Sequence, residues 1–362
     1  MNKEIYFIVI TGGPCAGKTS ALKEIYENFS KIGYKVLIIP ETATELILAG
    51  ITPMDIGNVN FQKILLKKQV NKEKLFAEAA LNMSNDKILI LCDRGVLDGK
   101  AYMSEIEFNN LLKDIGLNEI QLRDCYHAIF HLVTTAKGAE NAYTLENNSA
   151  RSESLEKARE LDSKIIDAWS GHPYLKIIDN STNFKEKINR LLKEISNLLG
   201  EDIPLNEKRY LVSIPNIGLL KEKTFCNKTN IVQTYLMSND NTERRIRQRG
   251  INGNYVYTYT EKRNRTTKER IGRIISEKEY AYLMNQADTS LHLIKKERYC
   301  FVYNNQYFSL DIYPFCQDKA ILGIDYIDEE ANIDIPSFFN VIKDVSNDLS
   351  YRNYNLAKTL KL

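Results

Sequence analysis

Ile5-Tyr6-Phe7-Ile8-Val9-Ile10-Thr11-Gly12-Gly13-Pro14-Cys15-Ala16-Gly17-Lys18-Thr19-Ser20 is an apolar run that stops at a glycine-rich turn. The turn fits the spacing Gly-x4-Gly-Lys-[Ser/Thr]. The run predicts a buried strand ending at Thr11, and Ser20-Ala21-Leu22-Lys23-Glu24-Ile25 predicts the helix that follows. Without a Cβ at Gly12 and Gly17 the backbone can turn so that successive N–H groups point inward at an anion. The helix N-terminus adds partial positive charge at the same spot. Lys18 offers a mobile ammonium to the β- and γ-phosphates of a nucleotide, and the Thr19 hydroxyl can ligate Mg²⁺. Gly12, Gly13, Pro14, Cys15, Ala16, Gly17, Lys18, Thr19 and Ser20 are therefore the candidate phosphate-holding residues.

Downstream, Tyr34 to Pro40 predicts a second buried strand that ends at Glu41-Thr42-Ala43. Helical periodicity returns from Phe61 to Leu81. Lys87 to Cys92 predicts a third strand ending at Asp93-Arg94-Gly95, with Asp98 one helical turn on, and 127–133 and 175–179 a fourth and a fifth. Strands and helices alternating at this length argue a doubly wound parallel sheet, in which ligands sit beyond the C-terminal ends of the strands. Lys18, Glu41, Asp93 and Arg94 all fall there. Asp93 closes an apolar strand and is expected to hold Mg²⁺ or its waters; the other reading is a cap on the next helix. Glu41 reads either as a general base or water-positioning group, or as a surface carboxylate. Arg151 and Arg159, after the fourth strand, are expected on a flap that neutralises charge on a transferred phosphoryl group. For Arg159 the alternative is a pair of helical ion contacts, with Glu156 and Asp162. His172 in Gly-His-Pro reads as a satisfied loop histidine.

The whole chain has 362 residues and a formal charge of +2, so bulk charge offers no support for nucleic-acid binding and any basic site must be local. Length predicts two domains. The expected boundary follows the amphipathic helix 183–199 and its Gly200 stop, giving 1–200 and 201–362. Six cysteines are scattered without zinc or Cys-x-x-Cys spacing and read as small buried hydrophobes in a reducing compartment. With no apolar run of membrane-span length and no leader, the expectation is a cytoplasmic protein.

Past Pro204 the text changes to short alternating strands. Alternation puts Arg245, Arg247 and Arg249 on one face and Arg244, Ile246 and Gln248 on the other. Lys262, Lys296 and Arg298 recur on neighbouring strands, with Glu207, Asp311 and Asp325 among them. A closed barrel holding cations for phosphate oxygens and acids for a metal is one reading. A solvated sheet face with ion pairs is the other.

The first half resembles the kinase-like P-loop domain related to nicotinamide riboside kinases. It does so through residues 12–19, Pro40-Glu41-Thr42-Ala43, Asp93-Arg94-Gly95, Arg159-Glu160-Leu161-Asp162, Gly171-His172-Pro173-Tyr174 and Ile178-Asp179-Asn180-Ser181. The second half resembles the CYTH, or triphosphate tunnel, domain, an antiparallel β-barrel. The carrying stretches are Glu207-Lys208-Arg209-Tyr210-Leu211-Val212, Arg245-Ile246-Arg247, Lys296-Glu297-Arg298 and Leu310-Asp311. That pairing in that order is similar to the TRPL translocation defect protein family. The resemblance implies Mg²⁺ with ATP or GTP in the first domain. In the second it implies a phosphorylated ligand, a polyphosphate or a phosphoinositide headgroup, held by Arg209, Arg245, Arg247, Lys262, Lys296 and Arg298. It also implies peripheral membrane association.

Tunnel enzymes begin Glu-x-Glu-x-Lys, where this chain reads Leu205-Asn206-Glu207-Lys208-Arg209; their late Glu-x-Glu pair is here Asp325-Tyr326-Ile327. Two carboxylates are missing while the basic set is largely intact, so the expectation is a phosphate-binding tunnel with weak or no triphosphatase activity. The leading function is nucleoside triphosphate binding with slow hydrolysis or kinase-like transfer. A nucleotide-dependent trafficking switch and an active tunnel phosphatase are the alternatives.

Overall fold

The computed structural model describes residues 3–142, 154–200, 206–238, 242–262, 271–326 and 332–362. Backbone contacts divide the chain into two compact units, Met1–Leu199 and Gly200–Leu362.

The first unit runs β1 (Glu4–Gly12), α1 (Lys18–Lys31), β2 (Lys35–Ile39), α2 (Thr42–Leu48), α3 (Pro53–Ile56), α4 (Asn58–Asn82) and β3 (Lys87–Asp93). It continues through α5 (Glu105–Ile115), α6 (Glu119–Asp124), β4 (Ala128–Leu132), α7 (Leu155–Trp169), β5 (Leu175–Ile178) and α8 (Phe184–Leu199). All five strands pair in parallel, in the order β2-β3-β1-β4-β5. Ile8, Val9 and Ile10, residues 88–92 of β3 and residues 128–132 of β4 are buried, as expected of a parallel sheet covered by helices on both faces. Register pairs Ile10 with Asp93 and Gly12 with Leu132, so the three central strands end level with one another. The chain turns there.

In the second unit come β6 (Asn206–Ser213), α9 (Ile217–Lys223), β7 (Cys226–Leu236), β8 (Glu243–Ile251), β9 (Asn254–Lys262) and β10 (Ile271–Ile275). They are followed by α10 (Glu277–Met284), β11 (Ile294–Tyr303), β12 (Gln306–Ile312), β13 (Lys319–Tyr326), β14 (Val341–Asp344) and α11 (Asn353–Thr359). Nine strands pair antiparallel in the order β10-β9-β8-β7-β11-β12-β13-β6-β14. No pairing joins β10 to β14 among the described residues. One face carries two apolar clusters, Val212, Phe301, Phe308, Leu310 and Leu322 in one and Ile246 with Leu236, Ile275 and Tyr280 in the other. Beside them lie the ion pairs Lys228–Glu297 and Arg244–Glu261. Leu211, Tyr235, Ile294 and Ile321 form a buried cluster on the opposite face. Period-2 alternation sends the charged set to that opposite face.

Among the described helices none is long and apolar enough to cross a membrane. All six cysteines are free, and only Cys92 and Cys300 are buried, with Cys125 exposed. The small-hydrophobe reading therefore holds for two of them alone.

Helix α4 turns a polar stripe inward, with Gln62, Gln69 and Glu73 all buried. The Glu73 carboxyl accepts from Gln69 Nε2 at 2.7 Å and from the Tyr126 hydroxyl at 2.8 Å. Burial outweighs these donors and pushes its pKa up to about 7. The folded chain therefore keeps a proton here that the unfolded chain releases near 4.5. Stability from this group is complete below pH 4.5 and is lost as pH rises to about 7. Glu73→Gln is expected to remove that slope from denaturant unfolding curves, a change on the order of 3 kcal/mol. An unaltered slope would mean that Glu73 is ionised in the fold.

Candidate functional site

Gly12 ends β1 with φ 149°, and a Cβ there would lie 2.1 Å from the Leu132 carbonyl oxygen. Only glycine lets β1 pass β4 this closely as the chain turns. Gly17 follows in the left-handed region, φ 88°, and stands at the N-cap of α1 with no capping side chain. A serine or aspartate at that place would cover the first N–H groups of the helix; glycine leaves them to an anion. Lys18 is buried and its Nζ donates to the Gly12 carbonyl at 3.4 Å, folding the ammonium over the mouth of the loop. Thr19 and Ser20 are exposed on the first turn.

What holds the loop is a residue that the sequence offered as an ion-pair partner of Arg159 and within one of the stretches that carry the family resemblance. Asp162 of α7 is fully buried, and its Oδ1 accepts from Gly13 N at 3.0 Å and from Thr134 N at 3.0 Å. The same oxygen faces His131 Nε2 at 3.0 Å, and Oδ2 takes Lys137 Nζ at 3.0 Å. Because a carboxylate only accepts, the His131 proton is assigned to Nε2. Burial opposes ionisation, but the contacts from His131 and Lys137 outweigh it and hold the carboxyl below the usual range. The Thr134 hydroxyl donates to Pro14 O, closing a second tie. Lys187 of α8, likewise buried, donates to Ala16 O at 3.3 Å, Val133 O at 2.7 Å and Asn180 Oδ1 at 2.7 Å. Its pKa is drawn down to about 8, chiefly by burial. The signal for both was available. Asp162 falls on the stripe Ala158, Leu161, Ile165, Ile166, Trp169, and Lys187 on the stripe Ile188, Leu191, Ile195.

On the other side of β1 the ends of β2 and β3 bring the acids together. Arg94 has φ 67°, an uncommon conformation for a side chain of that size. Its Nε donates to Glu41 Oε1 at 2.5 Å, and its Nη1 to Asp98 Oδ2 at 3.2 Å and Gly12 O at 3.4 Å. Glu41 is half-buried and paired with Arg94. Burial pushes its pKa up, yet Arg94 and Lys18 prevail and bring it to about 2. Asp98 also accepts from the Thr11 hydroxyl at 2.5 Å and from Trp169 Nε1 at 2.7 Å. Asp93 differs from its neighbours. Its Oδ1 is buried without a hydrogen-bond partner, and burial raises its pKa against the pull of Lys18.

The remaining expectations fare unevenly. Arg159 donates to Ala136 O at 2.6 Å and Glu140 Oε1 at 3.0 Å, so the ion pair expected with Asp162 is replaced by contacts to the loop after β4. Asp162 itself is committed beneath the glycine turn. Arg151 lies outside the described residues. His172 is fully buried, with Nε2 against Tyr126 O at 3.1 Å and Nδ1 accepting from Tyr174 N at 3.0 Å, as a satisfied histidine should be.

In the second unit, register sets Glu207, Arg209, Asp325, Asp311, Arg298, Lys296, Gln233, Arg247, Arg245, Arg249 and Lys262 on one face of the sheet. Asp311 was expected to hold a metal. Instead both oxygens are taken by cations: Arg298 donates at 2.7 Å to each, and Lys296 Nζ lies 2.5 Å from Oδ2. Burial raises its pKa, but the two cations dominate and keep the carboxyl ionised. Glu207 contacts Arg209 Nε at 2.8 Å and Arg352 Nη1 at 3.2 Å. Asp325, opposite Glu207 in register, is exposed. Among the described residues no group of three or more His, Cys, Asp or Glu is placed to hold a metal. Arg247 Nε donates to Gln233 Oε1 at 2.8 Å, while Gln233 Nε2 is buried without a partner. Arg245 contacts Glu243 at 3.2 Å and Lys262 contacts it at 3.7 Å.

The sequence matches the AAA domain family over residues 7–187, half of the chain. None of the curated proteins compared with it matches. Among solved structures, that of the hypothetical protein NE1496 aligns at 22% identity and TM-score 0.32, over 43% of this chain and 98% of its own. A structure of the inorganic triphosphatase NE1496 aligns at 21% identity and TM-score 0.33, over 44% and 97%. Likeness at that level carries no inference about fold or activity. The match to residues 7–187 spans the glycine turn, Lys18 and the buried anchors Asp162 and Lys187, and on it the chain belongs to the AAA domain family, its first unit being a P-loop NTPase-like, nucleotide-binding domain.

Proposed function

We propose that the first unit binds a magnesium nucleoside triphosphate, ATP or GTP, and catalyses kinase-like phosphoryl transfer or slow hydrolysis. The observation that carries this reading is Asp93 Oδ1, buried and unpartnered at the strand end beside Lys18 and Glu41. A buried carboxylate oxygen with no donor is costly unless a cation completes it. Asp93 together with the Thr19 hydroxyl is a hard oxygen pair of the kind Mg²⁺ takes. Bound there, the ion would neutralise charge on the phosphate chain. Lys18 would leave Gly12 O for the β- and γ-phosphates. Arg94, held by Glu41 and Asp98, would offer its guanidinium to the transferred group. A carboxyl near pKa 2 is a weak proton acceptor, so Glu41 acts by accepting a hydrogen bond from the attacking hydroxyl or water and orienting it. Lys18, Glu41, Asp93 and Arg94 are the residues we assign to the chemistry.

We propose further that residues 201–362 form a triphosphate-tunnel-type domain that binds a phosphorylated ligand, as in the TRPL translocation defect family, without being an efficient triphosphatase. Support comes from the basic face carried by Arg209, Arg245, Arg247, Lys262, Lys296 and Arg298, and from the engagement of Asp311 and Glu207 with cations. Acids whose oxygens already accept from guanidinium and ammonium groups are not free to ligate a metal ion. The ligand class includes polyphosphates and phosphoinositide headgroups, the latter bringing the protein to a membrane surface in the cytoplasm.

Lys18→Ala is expected to abolish calorimetric binding of Mg-ATP and Mg-GTP. Glu41→Gln should leave their affinity within about threefold while lowering the hydrolysis or transfer rate about 100-fold. Nucleotide affinity unchanged in Lys18→Ala would sink the first reading. For the second unit, the thermal shift caused by inorganic tripolyphosphate in the full chain should survive Lys18→Ala and fall in Arg247→Gln. The reverse pattern would confine phosphate binding to the glycine loop.

A further inference from the structure

Phe184 opens α8 and is 49% exposed. A single exposed aromatic means little by itself; its place carries the argument. The ring lies edge-on over the glycine turn: a Cβ at Gly17 would come 2.5 Å from Phe184 Cε2 and 3.1 Å from Cζ. Gly17 is what admits it. Three residues on, on the same face of the helix, Lys187 donates to Ala16 O, Val133 O and Asn180 Oδ1. Asn180 in turn donates to Thr134 O at 2.8 Å and Lys137 O at 2.7 Å. The first turn of α8 is thereby fixed to the glycine loop and to the segment after β4, and Phe184 has a set position beside both.

Topology supplies the direction. Glu41 follows β2 and Asp93 ends β3, and both strands lie on one side of β1; β4, β5 and the start of α8 lie on the other. A triphosphate whose γ-phosphate faces Lys18, Glu41 and Asp93 must send its nucleoside toward the β4–β5 side. Phe184, half-exposed, lies on that side beside the glycine turn.

We infer that Phe184 is the platform on which the nucleobase stacks, making it an affinity determinant for nucleosides as against bare polyphosphate. The inference rests on the nucleotide-binding reading of the glycine loop. Stacking on an aromatic face tolerates any base, so adenine and guanine nucleotides share the platform.

The test uses the full chain and a ribose-labelled fluorescent nucleotide whose Lys18-dependent signal identifies the loop. ATP, GTP and inorganic tripolyphosphate, each with Mg²⁺, are the competitors. Phe184→Ala is expected to weaken ATP and GTP about tenfold and to leave tripolyphosphate within about twofold of wild type. Phe184→Tyr should restore nucleotide affinity. Equal losses for all three competitors would make the ring a mere prop of the loop and overturn the proposal, as would unchanged ATP and GTP affinities. If the unsubstituted chain gives no Lys18-dependent signal, the nucleotide reading itself fails and the platform falls with it.

Discussion

The Asp162 carboxylate, enclosed on all sides, accepts from the backbone of the glycine turn and from the end of β4 with a single oxygen. Turns with consecutive glycines are costly to order, because glycine loses more backbone freedom on folding than any other residue. Here that cost is met by charge-assisted hydrogen bonds in a dry setting, where they are stronger than neutral ones. Lys137 balances the buried anion and His131 donates a hydrogen bond to it, so the anchor does not carry an unpaired charge. Lys187 repeats the device with opposite sign, a cation serving carbonyls where Asp162 is an anion serving amides. Between them the two residues fix the turn from below, through its backbone, and leave its upper amides to a ligand.

A second consequence concerns Arg94. Its left-handed backbone and three carboxylate and carbonyl contacts place a guanidinium over the strand ends. Uncommon backbone conformations persist where the surroundings over-determine them, and sites of chemistry are where they cluster. Glu41 and Asp98 are the carboxylates that this guanidinium bonds. Asp93 is left with an oxygen that no hydrogen-bond donor meets, so four neighbouring ionisable groups at the strand ends sit in four different electrostatic settings.

Much of this could be read from the chain before any coordinates. The α/β alternation, the strand ends and the glycine spacing all rest on local patterns, and they lie where periodicity put them. The buried anchors were obscured because charge on a helix normally signals solvent. Asp162 looked like an i,i+3 partner of Arg159, and only its position on the apolar stripe of α7 hinted otherwise. In the second unit, alternation assigned Arg245 and Arg247 to one face correctly. It did not show that Asp311 is held by Arg298 and Lys296: β11 and β12 form one hairpin closed by Asn304-Asn305, which sets Arg298 directly opposite Asp311, and alternation alone carries no cross-strand register. The strands β10 and β14 are short and weakly patterned, and nothing local marks them.

Trp169 is the chain's sole tryptophan, buried completely, with its indole N–H donating to Asp98. Asp98 is itself bonded to the Thr11 hydroxyl and to Arg94, so the indole stands one carboxylate away from the groups that flank the phosphate loop. Indole emission depends on the field around the ring. The protein therefore carries one intrinsic optical sensor, wired by hydrogen bonds to the strand ends beside its glycine turn and undiluted by any other tryptophan.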